Sequence, residues 1–135
     1  NSIVNERVLR EIYLKPFEIV IKLSNPGAIM SSYNLINGKH SNESRELIFD
    51  YLRKEVGFEG IVMTDWILSS TEPMNGTINP ATSVVNVVKA KNQLFMPGSD
   101  KDYFELLTSL DNGLLNRKEL IEAVSPFLNF IEKDN

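Results

Sequence analysis

The sequence predicts an α/β fold of about three parallel strands with flanking helices, and two observations carry that prediction. Residues 60–64 begin with a glycine, continue through apolar and β-branched residues and stop before a carboxylate. This pattern is typical of a strand buried on both faces. A similar run at 28–33 precedes it, and the residues between the two runs follow a helical period. Strand, helix and strand in that order form a βαβ unit, whose strands lie parallel.

The composition is that of a globular domain and excludes several classes of partner. The chain has 135 residues, of which 42% are hydrophobic and 24% charged, with a net charge of −4. Its basic residues are not clustered, so we expect no nucleic-acid partner. No apolar run approaches ~18 residues, so we expect no membrane segment. The absence of cysteine excludes disulfides and thiolate metal sites but indicates no compartment.

The first elements are predicted to be helical. Residues 5–21 carry apolar side chains at helical spacing, interrupted at Pro16, which cannot donate a backbone hydrogen bond inside a helix. The apolar stretch after Pro16 is predicted to be a short helix or turn that ends at Ser24. The first strand, 28–33, begins apolar and ends polar, as expected where a strand opens into a site.

A turn and a helix connect the first strand to the second. The Asn37–Gly38 pair supplies the positive φ angles of a turn. The next helix is predicted to begin at Ser41 or Asn42 and to end at Gly57, which favours a helix C-terminus. The second strand, 60–64, follows after a short loop.

The rest of the chain continues the alternation of strands and helices. Residues 67–80 form a polar loop that is long for a connection after a strand, and such loops often shape a binding site. The pattern then predicts a helix, a third strand and two closing helices, at 80–91, 93–96, 100–110 and 117–131. Asn116 is the predicted N-cap of the last helix.

Polar side chains at the strand ends form the candidate site. Neighbouring parallel strands lie ~4.8 Å apart and end at the same edge of a sheet. Tyr33 and Asn34 after the first strand are therefore expected near Asp65 after the second, within reach of a hydrogen bond between a phenol and a carboxylate. Folds of this class place their chemistry at that edge. The alternative is that Asp65 only caps the next turn.

Three sequence blocks carry a resemblance to one enzyme family. They are Ile29–Asn34 followed by Asn37–Gly38, Gly57–Trp66, and Phe95–Gly98. Together they resemble the N-terminal (β/α)8-barrel domain of family 3 glycoside hydrolases, the β-glucosidase family, from about Glu11 to at least Gly98.

The resemblance implies a partial (β/α)8 TIM barrel. A complete barrel needs ~250 residues, so residues 1–135 are expected to be a single segment, the C-terminal portion of the family's barrel domain. The first residue is Asn rather than Met, which is also what we expect of an excised or processed segment.

The resemblance also implies a reaction and the residues that perform it. Family members are retaining glycosidases, which use a nucleophile and an acid/base carboxyl ~5–5.5 Å apart. Asp65 is implied to be the nucleophile that forms the glycosyl–enzyme intermediate. Tyr33 would orient Asp65 or stabilise the sugar, Trp66 would stack on the sugar, and Met30 would border the subsite. The alternatives are a core role for Tyr33 and Met30 and packing of Trp66 under the long loop.

Other residues are assigned no catalytic role or depart from the family pattern. His40, the only histidine, is predicted to be a surface loop residue. Glu72 is the local carboxylate that could replace the acid/base, which the family usually supplies from another loop or domain. Thr64 stands where many members have Ser. Relatives often read Ala-Gly-Asn-Asp at Ala90–Gln93, and loss of the acid alters either sugar contacts or the end of the strand.

The expected partners follow from the part of the barrel that this chain lacks. We expect a carbohydrate substrate, the rest of the parent barrel and a C-terminal domain as partners, with no cofactor and no metal. The isolated fragment is expected to be inactive, because the family's other sugar-binding residues lie on earlier strands. The alternative is a non-catalytic part-barrel that acts as an interaction or assembly module. Open strand edges and an exposed apolar interior predict that the fragment self-associates, at least as a dimer.

Overall fold

A computed structural model describes residues 1–32, 34–66 and 82–133 as an α/β fold. The described helices are α1 (Glu6–Val8), α2 (Lys15–Ser24), α3 (Val84–Lys89), α4 (Asp100–Asp111) and α5 (Arg117–Lys133). The described strands are β1 (Ala28–Met30), β2 (Leu35–Ile36), β3 (Lys39–His40) and β4 (Ile61–Met63). The described residues also include two π-helical segments, Leu9–Tyr13 and Glu46–Glu55, and a 3-10 turn, Ser41–Glu43. Within these ranges no helix is long and apolar enough to cross a membrane.

The parallel strand pair confirms the βαβ prediction. β1 and β4 are parallel, with Ile29 opposite Val62 and Met30 opposite Met63. Ile29 and Val62 pack into a core formed with the helices, whose other members are Ile21, Ile48, Leu52, Phe58, Ala90 and Val56. Because side chains alternate along a strand, Met30 and Met63 lie on the face turned away from that core.

The Asn37–Gly38 turn is confirmed, but it closes a hairpin that the sequence analysis did not foresee. Asn37 and Gly38 have φ angles of 52° and 83°, and β2 pairs antiparallel with β3 on either side of them. His40 lies opposite Leu35 in this hairpin and is only 5% exposed. The prediction of a surface loop for His40 was therefore wrong, because the turn folds His40 back to pair with Leu35, where its side chain is buried.

The helix between β1 and β4 begins later than predicted. A 3-10 turn occupies Ser41–Glu43, and Ser44 then has extended backbone angles, so a continuous helix cannot start at Ser41 or Asn42. The Ser44 hydroxyl oxygen accepts the Leu47 N–H at 3.3 Å and thereby caps the Glu46–Glu55 helix. The predicted end is confirmed, since Gly57 has a φ of 82° directly after this helix.

The predicted third strand at 93–96 is reduced to an isolated bridge between Leu94 and Met63. Side-chain hydrogen bonds replace part of the backbone hydrogen bonding between this segment and β4. The Gln93 side-chain oxygen accepts the Val62 N–H at 2.8 Å, and the Thr64 hydroxyl oxygen accepts the Met96 N–H at 2.9 Å. Regular pairing does not form because these side-chain oxygens take the place of strand carbonyls.

The three C-terminal helices pack around a second core and lie close to their predicted positions. The N-cap of α3 is Ser83, so the predicted helix 80–91 starts later, and its first two predicted residues lie outside the described ranges. The predicted helices at 100–110 and 117–131 are confirmed as α4 and α5. Asn116 caps α5 as predicted: its side-chain oxygen accepts the Glu119 N–H at 2.9 Å, and Glu119 accepts the Asn116 N–H in return.

Lys91 adopts a backbone conformation that is unfavourable for a residue with a side chain, and a side-chain contact offsets the cost. Lys91 has a φ of 69°, in the left-handed region that favours glycine. Its side chain is buried, and the ammonium lies 2.7 Å from the Glu122 carboxylate on α5. This ion pair lowers the pKa of Glu122. A strained backbone position is therefore offset by a contact that joins the end of α3 to α5.

Candidate functional site

Asp65 lies just beyond the end of β4, at the edge of the sheet predicted to carry the site. β4 ends at Met63, the fully buried Thr64 follows, and Asp65 is partly exposed. One Asp65 carboxylate oxygen accepts the backbone N–H of Trp66 at 2.7 Å. A capping or turn Asp accepts from a backbone N–H two or three residues further on, so this contact with the next residue does not make Asp65 a cap.

The structure brings two of the other predicted site residues to the same edge. Met30 ends β1, lies opposite Met63 and is 55% exposed. Trp66 is also 55% exposed and follows Asp65 directly. Tyr33 and Glu72 lie outside the described residues, so their predicted roles have no structural test.

Thr64 is the site residue that the sequence analysis undervalued. Its backbone N–H donates to the Leu94 carbonyl at 2.8 Å, and its hydroxyl oxygen accepts the Met96 N–H. Thr64 thus joins the end of β4 to the Met-Pro-Gly block, residues 96–98. The available signal was a hydroxyl-bearing residue directly before the carboxylate.

Ser31 and Asn92 link the residues after β1 and after α3 to the end of β4. The Ser31 N–H donates to the Met63 carbonyl at 2.8 Å, and its hydroxyl also contacts that carbonyl at 3.2 Å. The Asn92 side-chain amide donates to the Ser31 hydroxyl at 2.8 Å. The chain on both sides of β4 is therefore tied to the strand that presents Asp65.

The Gln93 side chain contacts β4 at Val62, three residues before Asp65. The Gln93 side-chain oxygen accepts from Val62 near the start of β4 and from the Arg53 guanidinium at 2.6 Å. Arg53 also donates to the Phe58 and Gly60 carbonyls at 3.1 and 2.6 Å. Burial lowers the pKa of Arg53 to about 10, so it remains protonated at neutral pH. Gln93 in this chain thus contacts the strand and Arg53.

The chemistry available at the described edge is that of a carboxylate beside an indole ring and a thioether. Among the described residues, no group of three His, Cys, Asp or Glu side chains is arranged to hold a metal ion. A carboxylate on a rigid strand end can act as a nucleophile or a base. A half-exposed indole offers a flat face for an apolar ring surface.

Comparisons of the sequence with known proteins identify one family. The sequence model described as "Glycosyl hydrolase family 3 N terminal domain" matches residues 2–129. Beta-glucosidase B of Emericella nidulans is 38% identical over 137 residues, covering 100% of this chain and 15% of that protein.

Solved structures agree with the sequence comparison. Beta-glucosidase 3B from Thermotoga neapolitana, solved with glycerol, matches 96% of this chain and 18% of its own, with a TM-score of 0.80 and 38% identity. Beta-glucosidase from Kluyveromyces marxianus, solved with glucose, matches 98% of this chain and 15% of its own, with a TM-score of 0.81 and 32% identity. The chain therefore spans less than a fifth of the length of these relatives.

Proposed function

This chain belongs to glycosyl hydrolase family 3, and from that membership we propose that the protein containing it is a retaining β-glycosidase with Asp65 as nucleophile. The observation that carries the proposal is the position of Asp65 at the end of a parallel strand, beside Trp66 and at the edge where Met30 ends β1. The proposed substrate class is a terminal β-linked sugar, and glucosides come first because the relatives are named beta-glucosidases.

The proposed reaction has two displacement steps at one sugar carbon. In the first, an Asp65 carboxylate oxygen forms a bond to the anomeric carbon while the bond from that carbon to the leaving oxygen breaks. A general acid supplied by another part of the protein donates a proton to that oxygen. In the second, water attacks the same carbon, its proton returns to the acid/base residue, and the Asp65 carboxylate is released.

The other residues of the edge are proposed to bind the sugar. Trp66 stacks on the apolar face of the ring, and Met30 borders the subsite from β1. Tyr33 orients Asp65 or stabilises the sugar. The outward face of β1 and β4, which carries Met30 and Met63, is proposed to line the interior of a (β/α)8 barrel completed by other segments of the protein.

A mechanism-based label tests the reaction and its nucleophile together. We expect a 2-deoxy-2-fluoro-glucoside with a good leaving group to inactivate the full protein. The fluorine slows both displacement steps, and the good leaving group keeps formation of the covalent intermediate faster than its release. Peptide mapping by mass spectrometry should place the label on Asp65. A label on another carboxylate would remove Asp65 from this role, and a folded protein that resists labelling by several sugars would contradict the glycosidase proposal.

A second candidate is an assembly module, and exposed apolar side chains favour it. Met30 and several helix residues are at least half exposed, namely Ile12, Tyr13, Val20 and Leu23. Water contact with these side chains is unfavourable, so we propose that the isolated 135-residue chain is inactive and self-associates. Light scattering should give a mass of at least a dimer, and a monodisperse monomer would contradict self-association. A gene that does not continue upstream through further barrel strands would favour the assembly role over the enzyme.

A further inference from the structure

Thr64 directly precedes Asp65 and is hydrogen-bonded to a neighbouring segment of the chain. β4 ends at Met63, so regular strand pairing stops two residues before the carboxylate. Beyond that point Thr64 makes two contacts: its N–H donates to the Leu94 carbonyl at 2.8 Å, and its hydroxyl oxygen accepts the Met96 N–H at 2.9 Å. The position of Asp65 therefore depends on how Thr64 is held.

The hydroxyl contact joins the residue before Asp65 to a neighbouring segment of the chain. The Met96 N–H belongs to the Met-Pro-Gly block, and Asp65 is covalently attached to Thr64. Thr64 is 0% exposed, so no solvent replaces its hydroxyl if the contact is lost. Met96 is partly buried, and an N–H that loses its partner there is costly. We expect the segment carrying Met96 to move to satisfy it and to release the end of β4.

We propose that Thr64 is a positioning residue, whose hydroxyl oxygen fixes Asp65 relative to the Met96 segment through the Met96 N–H. This inference rests on the proposed function, because it assigns Thr64 a role in placing the nucleophile. Thr64 touches neither the sugar nor the reacting atoms in this role. The methyl group of Thr64 fills buried space, while the hydroxyl oxygen makes the contact that matters.

Two variants separate the hydroxyl from the methyl group. Thr64→Val keeps the shape and removes the acceptor, whereas Thr64→Ser keeps the acceptor and removes the methyl group. In the full protein we expect Thr64→Val to lower the maximal rate of labelling by the 2-deoxy-2-fluoro-glucoside by about 10²-fold, because small displacements of a reacting group cost that much. The binding constant of the same label should change little, and Thr64→Ser should react close to the rate of the unchanged protein.

Hydrogen exchange supplies a readout that does not depend on activity. The Met96 amide should exchange faster in Thr64→Val and should keep its protection in Thr64→Ser. Normal labelling by folded Thr64→Val, or equal loss in both variants, would overturn the positioning role, and so would unchanged exchange at Met96. If the unchanged protein is not labelled at Asp65, the proposed function fails. A labelled unchanged protein with a normal Thr64→Val rate removes only this inference.

Discussion

Asp65→Asn in the full protein is expected to lower kcat for a β-glucoside by at least about 10³-fold. An amide cannot form the ester of the glycosyl–enzyme intermediate, and loss of a covalent nucleophile removes the step itself. Asn keeps a side-chain oxygen that can accept the Trp66 N–H, so the 2.7 Å contact at this edge can survive the change. The measurement is steady-state hydrolysis of a chromogenic glucoside, with the folded state checked by circular dichroism.

A matched variant shows whether position or charge causes that loss. Asp50→Asn removes an equal charge from a helix surface, where Asp50 pairs with Lys54 at 3.1 Å and contributes little. We expect Asp50→Asn to keep full activity. If Asp65→Asn also keeps full activity, Asp65 is a turn residue and the proposed mechanism is wrong.

A smaller side chain gives a positive test of the same assignment. Asp65→Gly leaves space at the reacting face, so added azide should attack the anomeric carbon and restore cleavage of a substrate with a good leaving group. The product should be a glycosyl azide of inverted configuration, because only one displacement then occurs. A cap removed from a turn would not respond to azide in this way.

The parts of this fold that could be predicted are those that depend on local sequence. Gly57 ends the Glu46–Glu55 helix and Asn116 caps α5, because each acts through its own backbone or a neighbour three residues away. The parallel pairing of β1 with β4 followed from a helix between two apolar runs. The place of Asp65 after β4 followed from the same pattern, while its role stays a prediction.

The parts that could not be predicted depend on contacts between distant residues. His40 is buried because the chain folds back on Leu35, and a single histidine in a polar stretch carries no sign of that. Residues 93–96 have a strand-like composition, yet the Gln93 and Thr64 side chains take part of the pairing. Periodicity describes which face a residue occupies but not whether a side chain replaces a backbone partner.

Arg53 and Gln93 make a contact of this distant kind. The partly buried Arg53 guanidinium donates to the neutral amide oxygen of Gln93 at 2.6 Å. The charge of Arg53 is therefore stabilised by the oxygen atoms of Gln93, Phe58 and Gly60, each of which carries only a partial negative charge.

Arg53→Met is expected to weaken the start of β4 by about 3 kcal/mol. The change removes three hydrogen bonds from a charged donor, and the Phe58 and Gly60 carbonyls lose their guanidinium partner. Removing a buried cation also removes its desolvation cost, which offsets part of the loss. We expect the hydrogen bonds to outweigh it, because all three have a charged donor.

Hydrogen exchange of the peptide that contains Val62 measures this effect locally. The Val62 N–H donates to the Gln93 oxygen that Arg53 also contacts, so loss of Arg53 frees Gln93 to move. A local loss of about 3 kcal/mol corresponds to about 10²-fold faster exchange. Arg7→Met is the control, because the Arg7 side chain is 82% exposed and its removal should leave Val62 unchanged.

Arg53→Lys distinguishes the charge of Arg53 from the shape of its side chain. Lysine keeps the positive charge, but a single ammonium lacks the planar fork that reaches the oxygens of Gln93, Phe58 and Gly60 together. We therefore expect exchange at Val62 in Arg53→Lys to lie between that of the unchanged protein and that of Arg53→Met. Unchanged exchange in Arg53→Met would mean that desolvation cancels the hydrogen bonds, and Arg53 would then contribute nothing to the strand that presents Asp65.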